Sequence, residues 1–97
     1  MLPPNEDHIM KNRGRQDINA MVLEAAIIGE NKTKIMYKAY LSHNQLCAHL
    51  TELQDNGLLE YRLGEQIYFT TPKGKRYLEI YNTMNELTTT PQDSSME

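Results

Sequence analysis

The chain has no tryptophan, one phenylalanine, one cysteine, and no apolar run long enough to cross a bilayer. Cys47 has no second cysteine to pair with, so an internal disulfide is excluded, as fits a reducing compartment. The stretch Met1-Leu2-Pro3-Pro4-Asn5-Glu6-Asp7 is acidic where a secretory signal needs a cationic end and an apolar segment. A cytoplasmic protein with no membrane partner is expected. Also missing are a GxxxxGKS/T phosphate loop, HExxH, CxxC, and any distinctively flanked Ser-His-Asp or Cys-His arrangement. In 97 residues there is little room for a deep catalytic cleft, so neither enzyme activity, nor a cofactor, nor a small-molecule ligand is expected.

Positive charge is scarce at the ends. The net charge is -3, yet all ten basic residues lie between Lys11 and Arg76, among only seven acids. The remaining six acids (Glu6, Asp7, Glu79, Glu86, Asp93, Glu97) flank that window. A mildly basic centre with acidic ends keeps a nucleic-acid partner open despite the overall sign.

What is present is a succession of short periodic segments. Residues 1–12 are polar and aperiodic and are expected to form a disordered tail, as are residues 89–97. From Gln16, the apolar residues Ile18, Met21, Val22, Ala25 and Ile28 follow helical spacing, with Asp17 in the first turn and Gly29 as terminator. Thr33 is the expected N-cap of a second, short helix through Ile35, Met36 and Ala39, ending near Tyr40-Leu41. Ser42 caps a third helix, in which Leu46, Leu50 and Leu53 form one stripe and Asn56-Gly57 supplies the stop.

Leu59, Tyr61 and Leu63 then alternate with Glu60 and Arg62, and Ile67 and Phe69 share a side across the turn Leu63-Gly64-Glu65-Gln66, which predicts a hairpin. Thr71 caps and Pro72 opens a last helix, where Tyr77, Ile80, Met84 and Leu87 are spaced as a, d, a, d of a heptad. Helix, helix, helix, hairpin, helix is the order of an α+β winged helix-turn-helix: a domain over 13–71 with a two-stranded wing, then a C-terminal helix over 72–88 whose heptad-like stripe makes it a candidate for dimerisation.

The run Lys32-Thr33-Lys34-Ile35-Met36-Tyr37-Lys38-Ala39-Tyr40-Leu41-Ser42 is far more particular than a generic helix-turn-helix, because amphipathicity alone does not dictate its order of charged, apolar and aromatic types. With Asn56-Gly57-Leu58-Leu59-Glu60-Tyr61 and Thr70-Thr71-Pro72-Lys73-Gly74, it resembles the archaeal winged-helix DNA-binding proteins of the Sulfolobus ten-a type, predicted transcriptional regulators, over roughly residues 15 to 87. The resemblance implies double-stranded DNA as partner, association with the nucleoid, and a homodimer joined through C-terminal helices in an antiparallel coiled coil. Only about two heptads fit between Tyr77 and Leu87, which shortens the expected seam of Tyr77, Ile80, Tyr81, Met84 and Leu87.

A helix in the major groove reads bases with its first turns, which makes Ser42, His43, Asn44, Gln45, Ala48 and His49 the base-reading candidates. Residues 42–56 contain no Lys or Arg, so high specificity is not expected and phosphate contacts must come from elsewhere. The candidates are Arg13, Arg15, Lys32, Thr33, Lys34, Lys38, Arg62, Lys73, Lys75 and Arg76, with Lys11 beside them. Lys73, Lys75 and Arg76 oppose the dipole of the helix they open, a cost that a phosphate or an internal acid such as Glu60 would offset. The same features leave a rival, a winged scaffold that has lost strong DNA binding and holds a protein partner. His43 and Cys47 have the i, i+4 spacing of two metal ligands but lack the further ligands a zinc site needs, so no metal is expected.

Overall fold

The computed structural model describes residues 14–94. Their order is α1 (Arg15–Ala25), α2 (Lys32–Lys38), α3 (His43–Asp55), β1 (Leu59–Arg62), β2 (Ile67–Thr70) and α4 (Pro72–Ser94). The first tail, residues 1–12, lies outside the described residues, as do residues 95–97 of the second.

Local chemistry sets most of the boundaries. The Asp17 carboxylate accepts from the Gly14 N–H at 2.9 Å and starts α1. Helix α1 stops at Ala25, so Ile28 falls beyond it and is exposed, while Leu23 and Ala26 carry the buried stripe on. The cap of α2 is Asn31 rather than Thr33: the Asn31 Oδ1 accepts from the Lys34 N–H at 2.9 Å. Asn31 lies before the first turn, where a short side chain can fold back onto the third N–H, and Thr33 lies already inside it. Thr71 Oγ1 accepts from Gly74 N at 3.1 Å and donates to the Gly57 carbonyl at 2.7 Å, tying the start of α4 to the end of α3.

Val22, Leu23, Ile35, Leu46 and Leu53 are the largest fully buried side chains, so α1, α2 and α3 converge on one core. The hairpin pairs Leu59 with Thr70, Glu60 with Phe69, Tyr61 with Tyr68 and Arg62 with Ile67. Directly opposed residues share a face. Leu59, Tyr61, Tyr68 and Thr70 thus form one side, and Ile67 and Phe69 share the other with Glu60 and Arg62. A bridge between Glu30 and Tyr68 adds a short third edge to the wing. Gly29, at φ +92°, lies against the Phe69 ring, where a Cβ would approach Cζ to 2.6 Å. Thr70 Oγ1, buried, donates to the Leu23 carbonyl at 2.6 Å and pins the wing to α1.

The last helix differs from expectation. It does not end at residue 88 but continues through Pro91 to Ser94. Proline has no N–H for the Leu87 carbonyl, so α4 crosses this point with one fewer ladder bond instead of stopping. Among the described residues no helix is long and apolar enough to cross a membrane.

Candidate nucleic-acid interface

Helix α3 is presented by its own cap. Ser42 Oγ accepts from Gln45 N at 3.2 Å, and Gln45 Oε1 accepts from Ser42 N at 2.9 Å, a reciprocal box that fixes the first turn. That box engages two of the base-reading candidates: while it is closed, the Gln45 amide oxygen is occupied and its NH₂ remains for donation. His43, Asn44 and Ala48 are exposed on the same turns. His49 points elsewhere. Its imidazole Nδ1 lies 2.8 Å from the Oδ1 of buried Asn19, so it ties α3 to α1.

The cations divide by what they touch. Arg13 and Lys11 lie outside the described residues. Arg15 pairs with Glu52 at 3.7 Å, Lys38 with Glu30 at 3.3 Å, and Arg62 with Glu60 at 3.4 Å and Glu65 at 4.0 Å. The Arg62 guanidinium also sits 3.9 Å from the Phe69 ring centroid. The Arg62 pairs, exposed on both sides, contribute about 0–1 kcal/mol, little enough for a phosphate to redirect the side chain, whereas Glu30 is largely covered beneath Lys38. Lys32 Nζ is 3.9 Å from Cys47 Sγ. Thr33 is exposed in the first turn of α2.

The three cations at the start of α4 separate. Lys73 Nζ donates to the Asn56 carbonyl at 2.8 Å, which places its charge at the negative end of the α3 dipole and offsets the cost of its position on α4. Neither Glu60 nor a phosphate is needed there. Lys34, Lys75 and Arg76 are exposed, and their side-chain cations have no ion pair or hydrogen-bond partner shown among the described residues.

His43 and Cys47 do meet, with Sγ 3.7 Å from Nε2. Among the described residues no group of three or more His, Cys, Asp or Glu could hold a metal.

On α4 the expected seam splits in two. Tyr77 and Tyr81 face α1: the Tyr77 hydroxyl donates to the Gln16 carbonyl at 3.5 Å, and the Tyr81 hydroxyl donates to Asp17. Both phenols are held above their ordinary pKa, Tyr77 chiefly by burial and Tyr81 chiefly by its bond to the Asp17 carboxylate. Ile80, Met84 and Leu87 stay 51%, 50% and 72% exposed, and a small apolar recess of about 110 Å³ lies among Gln16, Tyr77, Ile80, Tyr81 and Met84.

Sequence reasoning missed two aromatic residues. Tyr37 and Tyr40 are 68% and 66% exposed, and the sequence reading gave neither a place in the interface. It also missed Asn19, whose single polar position within an apolar stripe was the available signal.

A model of the winged helix-turn-helix family matches residues 12–89. No curated protein matches the chain significantly. Members of such families are typically not enzymes, and their fold suggests DNA as a partner. By its helix order, its hairpin placed directly after a capped third helix, and this match, the chain belongs to the winged helix-turn-helix family.

Proposed function

We propose that the protein binds double-stranded DNA as a homodimer and acts as a transcriptional regulator or chromatin-associated protein of the archaeal ten-a type, in the cytoplasm on the nucleoid. The observation that carries this reading is the start of α3, its first turn locked by the Ser42–Gln45 box, with His43, Asn44 and, a turn on, Ala48 exposed and the hairpin next after α3 in the chain. Lys34, Lys75 and Arg76 supply phosphate contacts, joined by Arg15, Lys38 and Arg62 when their ion pairs open. Because the reading turn has no cation, most of the affinity is electrostatic and tolerant of sequence. The exposed stripe of Ile80, Met84 and Leu87 is the seam between copies, with Tyr77 and Tyr81 stiffening it from behind.

A salt series of fluorescence-anisotropy titrations with a short labelled duplex tests this. Three to six cations per protomer predict log K falling against log salt with a slope of roughly −3 to −5 per protomer. A flat titration at low salt would refute the proposal. The rival, a protein-interaction module, is favoured by the uncharged α3 and the engaged arginines. It predicts that flat titration together with recovery of one stoichiometric protein partner.

A further inference from the structure

Two helices of this chain end on the same hydrogen-bond pair. At the end of α3, Gly57 N donates to the Gln54 carbonyl at 3.0 Å and Leu58 N to the Leu53 carbonyl at 2.9 Å. At the end of α2, Tyr40 N donates to the Tyr37 carbonyl at 3.2 Å and Leu41 N to the Met36 carbonyl at 3.1 Å. Both are Schellman stops, whose penultimate residue must enter the left-handed region and is ordinarily glycine. Gly57 does so at φ +77°. Tyr40 does so at φ 55°, carrying an aromatic side chain through a conformation that disfavours any Cβ.

Tyr40 lies largely outside the buried core, 66% exposed. A large, half-apolar side chain is therefore kept exposed, at a strained position, two residues before the Ser42 cap of α3. Tyr37, a turn earlier on α2, is 68% exposed as well. Lys34 precedes Tyr37 by three residues, on the same side of α2.

We infer that Tyr40, with Tyr37, is a contact for the sugar–phosphate backbone of duplex DNA. The phenolic hydroxyls donate to phosphate oxygens and the rings cover deoxyribose beside the first turn of α3. This rests on the DNA-binding reading above and extends its interface from lysine and arginine to neutral donors. A neutral donor releases no counterion, so these contacts add affinity that salt does not remove. That separates them from every cation in the interface.

The test is a pair of measurements on wild type, Tyr40→Gly and Tyr40→Phe: a thermal melt and the anisotropy salt series. Tyr40→Gly is expected to melt about 2–4 °C higher, because relief of the left-handed strain exceeds the entropy that glycine adds to the unfolded chain. It is expected to bind duplex about fivefold more weakly, one hydrogen bond's worth, with an unchanged salt slope. Tyr40→Phe keeps the ring and is expected to weaken binding at that same slope without the rise in melting temperature.

Wild-type affinity in Tyr40→Gly would overturn the inference while leaving DNA binding intact. A lower melting temperature in Tyr40→Gly would overturn it too, by showing that the ring holds the fold. A flat wild-type titration is a different failure, and removes the underlying reading itself.

Discussion

Helix propensity and packing make opposite predictions for Gly74→Ala, in the first turn of α4. On propensity alone, alanine should stabilise a helical position by about 1 kcal/mol. At this position the new Cβ would press on the Leu58 carbonyl oxygen well inside contact distance and lie 2.6 Å from Thr70 Cγ2. Neither neighbour is free to retreat. The Leu58 carbonyl accepts from Thr71 N at 3.0 Å, and Thr70 is fixed by its 2.6 Å bond to the Leu23 carbonyl. Overpacking costs about 1–3 kcal/mol, and displacing the carbonyl forfeits a hydrogen bond worth about 1 kcal/mol more. The net expectation is a loss of about 1–3 kcal/mol, a drop in melting temperature of roughly 5–20 °C for a domain of this size. Thermal melts followed by circular dichroism read it directly. Gly64→Ala is the control, since a Cβ at Gly64 meets nothing within 4 Å. A Gly74→Ala variant melting at or above wild type would refute the close docking of α4 against Leu58 and β2.

Three further outcomes follow from the same packing. Thr70→Val removes the buried hydroxyl that satisfies the Leu23 carbonyl, and is expected to lower the urea midpoint by the equivalent of about 1–2 kcal/mol with unchanged m. Tyr68, Tyr77 and Tyr81 all have pKa values raised in the folded state, Tyr68 first by burial, so folding favours their neutral forms. The stability they contribute is complete below the unfolded value near about 10 and is lost as pH rises through the folded values. Tyr81→Phe should therefore flatten the alkaline limb of a pH–stability curve, and an identical limb would count against the Asp17–Tyr81 bond. Ile80→Glu is expected to convert a dimer to a monomer in sedimentation equilibrium, and a wild type already monomeric would remove the seam.

Much of the fold was legible because its signals are local. Ser42 with Gln45, Thr71 with Pro72, and Asn56 with Gly57 each announce a helix boundary through side chains that reach only three or four residues. Two boundaries escaped, each where the local signal permits more than one outcome. Asn31 took the cap expected of Thr33, and α4 continued through Pro91, where a missing N–H weakens a helix without obliging it to end.

The candidate site was less legible, since it depends on what each side chain meets across the fold. Periodicity places His49 beside Ala48 on the reading helix but carries no information that Asn19, thirty residues earlier, will hold its imidazole. Lys73 likewise reads as a cation in search of a phosphate until the Asn56 carbonyl is seen beneath it. Tyr40 reads as a helix end, and only its backbone angle marks it as unusual.

The most direct measurement of the central claim is the mapping of amide chemical shifts on titrating ¹⁵N-labelled protein with a short duplex. The account predicts the largest changes at residues 32–40 and 42–48, with smaller ones on the wing and at Lys75 and Arg76. Shifts confined to Ile80–Leu87, or no shifts at low salt, would contradict it.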